Sequence, residues 1–345
     1  MQALILAGGE GTRLRPLTEN IPKPIVPIGN EPFLLRQIQA LKNAGVTDVI
    51  LSVGYQPSTI ERVLGDGSAY GVKLTYLVES TPMGTAGAYK FAEQFLHTST
   101  IILNGDILTD INLQAVCREH KNHSATATIV LTPVDNPSAY GLVEVGEKNK
   151  VLRFLEKPKA EEISRIKINT INAGIYVLEP RVLDYIPKDE KYSFEYQLFP
   201  QLLEEKENFR AFVARDNYWL DIGTPQRYLQ AHYDLIAGRI KNLEITKTGN
   251  FKVSKKAQVD EYSWIADGCV IKPNARITNS VLGRDVIIEE NAVIQNSVIW
   301  SGTKVNSFTT IFDSIIGNDC RIGSNVLLTN GVVLGDKTEI ADFIG

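Results

Sequence analysis

The chain has 345 residues, a formal net charge of −4 and an isoelectric point near 5.7. Hydrophobic residues make up 43% and charged residues 22%, which is typical of a globular protein with two domains and a sizeable core. The acidic balance argues against a nucleic-acid binder, because such a protein usually presents a basic face.

The three cysteines, Cys117, Cys269 and Cys320, lie far apart in the sequence. They form neither a metal-ligand spacing nor a disulfide framework, so we expect a cytoplasmic protein in a reducing environment. The N-terminus lacks the basic flank of a signal peptide, and no apolar run reaches the length of a membrane helix. A membrane partner is therefore not expected.

The first 27 residues carry the strongest local signal. An apolar run at 3–7 predicts a buried strand, and the glycine-rich turn at 8–11 lets backbone N–H groups approach an anion. Arg13 then offers a charged fork that suits phosphate, and Lys23 offers a compact positive charge. The turn is neither a dinucleotide fingerprint, because leucine stands at its third glycine position, nor a P-loop.

Apolar periodicity then predicts helices alternating with strands. Helices are predicted at 33–41, 58–64 and 84–95, and strands at 46–53, 72–78 and 100–103. This alternation implies a doubly wound α/β domain with a mostly parallel sheet. Further strands are predicted at 128–131, 141–145 and 175–177, and further helices at 198–205 and 225–237. We place the first domain at 1–238.

From about residue 251, apolar residues recur at every sixth position. They are Val259, Ile265, Ile271 and Ile277, then Ile287, Val293, Ile299, Val305 and Ile311, then Ile316, Ile322, Leu328, Leu334 and Ile340. This period predicts hexapeptide repeats wound into a parallel β-helix with three short strands per coil. The phase slips after Ile277 and Ile311 indicate residues gained or lost at a corner. We predict a linker at 239–250 and the repeat domain at 251–345.

Hexapeptide β-helices often act as acyltransferases that use a histidine base. All four histidines, His97, His120, His123 and His232, precede the repeats. Without a histidine general base, we predict a scaffold and homo-oligomerisation role for the β-helix, with a second transferase site as the alternative.

Seven short segments carry a family resemblance. They are LAGGEGTRLRPLT, PKP, GTAGA, NGD, EKP, NAG and WLDIGTP. Together they resemble the sugar-1-phosphate nucleotidylyltransferases (NDP-sugar pyrophosphorylases), and the repeats resemble the left-handed β-helix of the longer members. The resemblance implies a Rossmann-like fold of the nucleotide-diphospho-sugar transferase type. It also implies in-line attack of a sugar 1-phosphate on the nucleotide α-phosphorus, with pyrophosphate leaving.

The resemblance also implies site residues. Arg13 is expected to stabilise pyrophosphate, Lys23 the nucleotide phosphates and Lys157 the attacking phosphate. Asp106 and Asp221 are expected to bind Mg²⁺, a hard cation that takes oxygen ligands and shares substrate phosphates. The implied nucleotide-binding residues are Leu6, Ala7, Gly8, Gly9, Gly11, Thr12, Arg13, Glu79, Gly84 and Asp106. The implied sugar-phosphate-binding residues are Gly141, Glu156, Lys157, Asn172 and Gly174.

Base choice depends on Glu79, which ends the third predicted strand. Uridylyl and thymidylyl members commonly have glutamine here. An ionised carboxylate only accepts hydrogen bonds, so it pairs with guanine N1–H and the 2-amino group and repels the edge of uracil or thymine. The string from Glu79 to Gly87 resembles the guanylyltransferase branch. We therefore expect GTP as nucleotide and, from the domain order, mannose 1-phosphate as sugar, giving GDP-mannose.

Alternatives stay open at this point. The enzyme could be a glucose-1-phosphate thymidylyl- or uridylyltransferase, or a heptose-1-phosphate guanylyltransferase. A different class is a catalytically inactive regulatory subunit, although the phosphate-binding and metal-binding side chains are all present. Asp110 is the competing metal candidate, and we predict that it caps the helix that follows it.

Overall fold

A computed structural model describes residues 1–134, 141–155, 169–241 and 249–343. The chain forms two compact units. Unit 1 comprises Met1–Gly9 and Leu34–Trp219, and unit 2 comprises Glu10–Phe33 and Leu220–Gly345. Two segments that precede residue 238, namely residues 10–33 and 220–238, thus belong to the same compact unit as the C-terminal repeats. The domain boundary that we placed at residue 238 stays a prediction.

The predicted helices and strands are present, with most ends shifted by one to three residues. Before the repeats, the strands are β1 (Gln2–Ala7), β2 (Pro27–Ile28), β3 (Glu31–Pro32), β4 (Asp48–Val53), β5 (Lys73–Val78), β6 (Thr100–Asn104), β7 (Ile107–Thr109), β8 (Ala127–Pro133), β9 (Leu142–Val145), β10 (Val151–Leu155), β11 (Thr170–Leu178), β12 (Phe209–Val213) and β13 (Trp219–Asp221). The helices are α1 (Phe33–Asn43), α2 (Pro57–Leu64), α3 (Gly84–Phe91), α4 (Leu113–Asn122), α5 (Phe199–Glu204) and α6 (Pro225–Ile236). Helix α4 is the helix that was expected after Asp110, and its bounds were not predicted. The helix predicted at 84–95 ends at Phe91 and is followed by a short 3₁₀ turn.

The main sheet lies in unit 1 and has the strand order β10-β9-β11-β6-β1-β4-β5, with β8 pairing with β11 and β12. Strands β6, β1, β4 and β5 run parallel, as predicted. Strand β11 runs antiparallel to β6 and β8, so the sheet is mixed. The chain order reverses between β1 and β6, and open α/β sheets bind ligands at the carboxyl ends of strands at such a point.

The core beneath this sheet is aromatic. Tyr176, Phe194, Phe199 and Phe209 are fully buried, and the rings of Phe194 and Phe199 stack with centroids 5.5 Å apart. Burial of each such side chain contributes about 2 kcal/mol. Because Tyr176 lies on β11, this packing fixes the strand that carries the predicted sugar-contact segment.

The repeats form short strands in unit 2. They are β14 (Lys252–Val253), β15 (Gln258–Val259), β16 (Trp264–Ile265), β17 (Val270–Ile271), β18 (Arg276–Thr278), β19 (Val281–Leu282), β20 (Ile287–Ile288), β21 (Val293–Gln295), β22 (Val298–Ile299), β23 (Lys304–Val305), β24 (Thr310–Phe312), β25 (Ile315–Ile316), β26 (Arg321–Ile322), β27 (Leu327–Leu328), β28 (Val333–Leu334) and β29 (Glu339–Ile340). Every third strand joins the same parallel sheet, which gives three sheets. The predicted coil of three strands is confirmed.

The coil register shows which apolar side chains face inward. Ile271 pairs with Ile288 and Ile277 with Ile294, so one coil takes 17 residues (288 − 271). The inward side chains are therefore the fully buried Ile288 and Ile294, each one position after a member of the period-six series, Ile287 and Val293. In each of these strands two neighbouring apolar residues fit the period of six equally well. Only the pairing with the previous coil shows which of the two faces inward. The slips after Ile277 and Ile311 are confirmed, and a third follows Ile294.

One corner of the β-helix places a residue in the left-handed region every 17 positions. Asn274, Asn291 and Asn325 have φ values of +60°, +60° and +59°, and Phe308 occupies the same corner with φ +62°. Asparagine tolerates this conformation, whereas a bulky side chain is strained in it. The Phe308 residue is also 60% exposed, so burial offers little compensation.

We expect Phe308→Asn to raise the free energy of unfolding by roughly 1 kcal/mol, because it removes this strain and exposed apolar surface. Thermal or urea unfolding measures the change. Phe308→Leu is the matched control, since it keeps a bulky apolar side chain at positive φ. Equal stability of the two variants would contradict the strain at this corner.

Candidate active site

The carboxyl ends of β1 and β6 meet at the point of chain reversal. The N–H group of Gly105 donates to the carbonyl of Leu6 at 2.9 Å, and a Cβ on Gly105 would lie only 2.7 Å from that oxygen. This close approach places Asp106 beside the end of β1, where Ala7 leads into Gly8. The predicted grouping of Asp106 with the start of the glycine-rich turn is therefore present within unit 1.

Glu79 lies against the same turn. A Cβ on Gly8 would lie 3.0 Å from Glu79 Oε1, while Gly9 is exposed. The hydroxyl of the fully buried Ser52 donates to Glu79 Oε1 at 2.6 Å, and the Met83 N–H donates to Oε2 at 3.1 Å. The carboxylate orientation is thus fixed by one donor on each oxygen. Ser52 was not predicted, because a serine inside an apolar strand carries no motif.

Gly84 begins α3, five residues beyond Glu79. Its φ is +75°, and a Cβ would lie 2.6 Å from the carbonyl of Tyr192. The same carbonyl accepts the N–H groups of Ala86 and Gly87 at 3.0 Å. The structure therefore fixes the first turn of α3, and contact of Gly84 with a base stays a prediction.

The rest of the LAGGEGTRLRPLT segment, from Glu10 onward, lies in unit 2 together with Lys23, and we call residues 10–33 the signature loop. Gly11 has φ +67°, and its carbonyl accepts the Thr18 hydroxyl at 2.8 Å. A Cβ on Gly11 would lie 2.9 Å from Lys23 Cβ, so the turn and Lys23 pack directly on each other. Thr12 opens a short 3₁₀ turn that presents an exposed Arg13. The two predicted phosphate-binding cations are thus carried by one folded loop.

Arg13 also approaches the WLDIGTP segment within unit 2. A Cβ on Gly223 would lie 3.1 Å from Arg13 Nη2 and 2.9 Å from Asp221 Oδ1. The Gly223 N–H donates to Asp221 Oδ1 at 3.2 Å, and Arg227 forms an ion pair with Asp221 Oδ2. The Asp221 carboxylate therefore lies among two guanidinium groups. Arg227 was missed, because one arginine in the first turn of a helix has no distinguishing pattern.

The two predicted metal ligands lie in different units, Asp106 in unit 1 and Asp221 in unit 2. Among the described residues, no group of three or more histidine, cysteine or acidic side chains could hold a metal. Mg²⁺ usually takes one or two carboxylates and completes its shell with phosphates and water, so two aspartates fit its chemistry. Joint binding by Asp106 and Asp221 stays a prediction.

The predicted sugar-contact segment is ordered by its own hydrogen bonds. The Asn172 N–H donates to the Gly141 carbonyl at 3.0 Å, and the Gly174 N–H donates to Asn172 Oδ1 at 2.9 Å. These three residues therefore lie together, and their contact with the sugar phosphate stays a prediction. Glu156 and Lys157 lie outside the described residues.

Glu195 connects this segment to α3 and was not predicted. The Asn172 amide donates to the Tyr176 hydroxyl at 2.8 Å, which donates to Glu195 Oε1 at 3.1 Å. The hydroxyls of Ser193 and Thr85 donate to Glu195 Oε2 at 2.7 and 3.1 Å. Because Thr85 lies in the first turn of α3, one carboxylate links that turn to the segment that carries Asn172.

The predicted capping role of Asp110 was wrong. Helix α4 is capped by Asn112, whose side chain accepts the Ala115 N–H at 2.9 Å. Asp110 instead accepts the Tyr218 N–H at 2.8 Å and the Asn217 amide at 3.0 Å. Its carboxylate thus ties the segment after β7 to the segment that leads into β13.

A buried histidine fixes the tip of the signature loop. The β2–β3 hairpin turns at Gly29 and Asn30, and the Gly29 N–H donates to His232 Nε2 at 3.3 Å. His232 Nδ1 lies 2.9 Å from the Tyr228 carbonyl, which only accepts, so Nδ1 carries the proton. Complete burial lowers the pKa of His232 from its ordinary value of 6.5 to about 4, and the neutral ring is the form that can accept from Gly29.

Comparison with known proteins assigns the family. Residues 2–238 match the family described as Nucleotidyl transferase, which is more than half of the chain. The chain belongs to the nucleotidyl transferase family. Residues 243–344 match the EIF2B subunit epsilon LbH domain, in agreement with a left-handed β-helix of hexapeptide repeats.

Several curated relatives of this nucleotidyl transferase have the same printed activity. Mannose-1-phosphate guanyltransferase of Saccharomyces cerevisiae is 43% identical over 235 residues, 66% of this chain and 63% of the relative. The Pichia angusta protein of that name is 39% identical over 278 residues, 78% of this chain and 74% of the relative. The probable mannose-1-phosphate guanylyltransferase 3 of Oryza sativa subsp. japonica is 36% identical over 310 residues, 85% and 84% of the two chains. The chain thus spans less than two thirds of the yeast relative's length.

Solved structures match between 67% and 72% of this chain. HddC from Yersinia pseudotuberculosis has a TM-score of 0.57 and 31% identity, covering 67% of this chain and 97% of that chain. The same protein complexed with GMP-PN matches with a TM-score of 0.56 and 30% identity, over the same shares of the two chains. A putative glucose-1-phosphate thymidylyltransferase from Bacillus anthracis has a TM-score of 0.62 at 24% identity, covering 72% and 98%, which supports the fold alone.

The His232 pKa makes stability depend on pH. Between pH 6.5 and about 4, the unfolded chain takes up a proton at His232 that the folded protein does not, so stability falls as pH falls. The full difference is worth roughly 3 kcal/mol. We expect His232→Gln to lose this part of the slope in urea unfolding measured from pH 7 to pH 4.5. The pKa of His120 is also lowered by burial, so part of the slope remains.

His97→Gln is the control, because His97 is exposed. A His232→Gln variant with the same pH slope as the parent would show that His232 does not stay neutral in the folded protein.

Proposed function

We propose that this protein transfers GMP from GTP to mannose 1-phosphate, giving GDP-mannose and pyrophosphate. The observation that carries the base choice is the fixed Glu79 carboxylate beside Gly8. The printed names of the curated relatives support both substrates, and the HddC complex with GMP-PN supports a guanine nucleotide.

The hydrogen bonds of Glu79 are compatible with base recognition. Ser52 and Met83 each occupy one lone-pair position, and a carboxylate has about four such positions. The remaining positions can accept guanine N1–H and the 2-amino group together. A base without adjacent donors would leave these remaining positions without donors, and the carbonyl oxygens that flank N3–H of uracil or thymine would face the carboxylate.

Charge neutralisation is the main catalytic task, because the nucleophile and the nucleotide are both anionic. We assign Arg13 to the departing pyrophosphate and Lys23 to the nucleotide phosphates, since one loop presents both. We assign Lys157 to the attacking sugar phosphate, and Glu156, Asn172 and Gly174 to the sugar, on the family resemblance.

We propose Asp106 and Asp221 as the residues that hold Mg²⁺. The bound cation would neutralise charge on the phosphate oxygens and help to align them. Asp221 is paired with Arg227 at Oδ2 and accepts the Gly223 N–H at Oδ1, and the remaining lone-pair positions of this carboxylate can serve the cation. The Arg227 guanidinium beside it has further N–H donors that suit phosphate oxygens.

We also propose that the protein works in the cytoplasm as a homo-oligomer. In the described part of the chain, no helix is long and apolar enough to cross a membrane. The three cysteines are buried free thiols, which supports work in a reducing cytoplasm. Exposed Phe308 and Leu327 on the β-helix support homo-oligomerisation through that domain.

Pyrophosphate release with Mg²⁺ and mannose 1-phosphate, measured across GTP, ATP, UTP, CTP and dTTP, tests the proposal. We expect turnover with GTP alone, because only guanine offers two adjacent donors to Glu79. Glu79→Gln should lower kcat/KM for GTP by roughly 10- to 100-fold and gain activity with UTP or dTTP. Glu61→Gln, at an exposed position of α2, is the control.

Each other outcome has a distinct meaning. Turnover of the parent with dTTP or UTP would overturn the role of Glu79. Turnover with glucose 1-phosphate or a heptose 1-phosphate in place of mannose 1-phosphate would change the sugar. Nucleotide binding without turnover on any sugar phosphate would favour the regulatory subunit.

Arg13→Ala should abolish turnover while leaving the thermal unfolding midpoint nearly unchanged, because Arg13 is exposed and acts on the leaving group. Arg15→Ala is a matched control in the same loop, since Arg15 pairs with Glu10 at 3.6 Å and is half-exposed. Near-normal turnover of folded Arg13→Ala protein would remove Arg13 from the mechanism.

A further inference from the structure

The loop that carries Arg13 and Lys23 belongs to the same compact unit as the β-helix. Two contacts within unit 2 show this directly. The Asn30 amide donates to the carbonyl of Leu282 in β19 at 3.0 Å. A Cβ on Gly335, which follows β28, would lie 3.1 Å from Pro16 Cβ. The loop is therefore in contact with the repeats at both of these points.

A buried pair of polar side chains makes a third connection. Trp300, at the corner after β22, donates its indole N–H to the Tyr228 hydroxyl at 2.9 Å. The Tyr228 hydroxyl in turn donates to the carbonyl of Pro27 in the loop. Tyr228 is fully buried and Trp300 is 2% exposed, so water does not substitute for either bond. We call Trp300, Tyr228 and Pro27 the relay.

Removing one member of the relay leaves a buried partner unpaired. Without the Tyr228 hydroxyl, the Trp300 N–H has lost its acceptor and the Pro27 carbonyl has lost a donor, and each such loss carries a desolvation cost. The loop can regain its bond only by moving. Pro27 lies four residues from Lys23, so such a movement displaces the residues proposed to bind phosphates.

We propose that Tyr228 is a positioning residue for catalysis, which transmits the rigidity of the β-helix, through Trp300, to the loop that carries Arg13 and Lys23. This inference rests on the proposed function of those two residues. It gives the β-helix a role in turnover as well as in assembly. His232 reinforces the connection, because it bonds the Tyr228 carbonyl and the Gly29 N–H from the same helix, α6.

Helix α6 offers a matched control. The Tyr233 hydroxyl lies 2.8 Å from the Asn296 carbonyl and 3.0 Å from Asp313 Oδ1, both in the β-helix. Both tyrosine hydroxyls thus join α6 to the repeats. The Tyr228 hydroxyl also bonds the loop at Pro27, whereas neither of these two partners of Tyr233 lies in the loop. Tyr228→Phe and Tyr233→Phe therefore remove the same chemical group, and differ in whether the loop is affected.

We expect Tyr228→Phe in the full chain to lower kcat by roughly 10- to 100-fold, because small misplacement of catalytic groups is costly. Amide hydrogen exchange of residues 16–33 should become faster. Tyr233→Phe should leave both quantities near the parent values, even where its unfolding midpoint falls. Trp300→Phe should act in the same direction as Tyr228→Phe, and the double variant should be no worse than Tyr228→Phe alone.

A Tyr228→Phe variant that matches Tyr233→Phe in kcat and in loop exchange would overturn the proposal, whatever the change in stability. If Tyr228→Phe does not fold, Trp300→Phe decides by the same two measurements. Absence of turnover in the parent would refute the proposed function instead. The exchange of residues 16–33 would then still test whether the relay holds the loop.

Discussion

The candidate site depends on how closely the backbone segments approach at the carboxyl ends of β1, β4 and β6. A Cβ on Gly54 would lie 2.7 Å from the Gly8 carbonyl, and a Cβ on Gly105 would lie equally close to the Leu6 carbonyl. Larger residues would force these strand ends apart. Because they stay together, Asp106 lies beside the end of β1 and Glu79 beside the glycine-rich turn.

Much of this arrangement could be predicted, because it follows from local patterns. Glycines after an apolar strand, an acid at a strand end and alternating helices and strands are visible in the sequence, and so is a period of six. The column of inward-facing side chains in the β-helix was harder to predict. Ile287 and Ile288 both satisfy the period, and only pairing with Ile271 in the previous coil separates them. The number of residues per coil is set by the number of residues at the corners, and the apolar pattern does not show that number.

Ser52, Glu195 and Trp300, which sequence reasoning missed, share a different feature: each contacts a partner that is distant in sequence. Ser52 reaches Glu79 across 27 positions, and Trp300 reaches Tyr228 across 72. Glu195 lies in a segment without periodicity and is recognisable only through Thr85 and Tyr176. Asp110 looked like a helix cap because of its position, yet its contacts lie more than 100 residues away. Short sequence patterns do not show which distant residues will be in contact.

Two of the acidic groups assigned to the proposed function, Glu79 and Asp221, are held in opposite ways. Glu79 is held by neutral donors, a hydroxyl and a backbone N–H, so its charge in the ionised form is left for the base. Asp221 is paired with Arg227 beside Arg13, so its charge is already balanced. A fixed, uncompensated acceptor suits discrimination, because it does not rearrange for a wrong base. A compensated acid would suit exchange, because its arginine would have an alternative partner once a polyphosphate is bound. The roles that we propose in specificity and in charge neutralisation thus require different surroundings, and the two units supply one each.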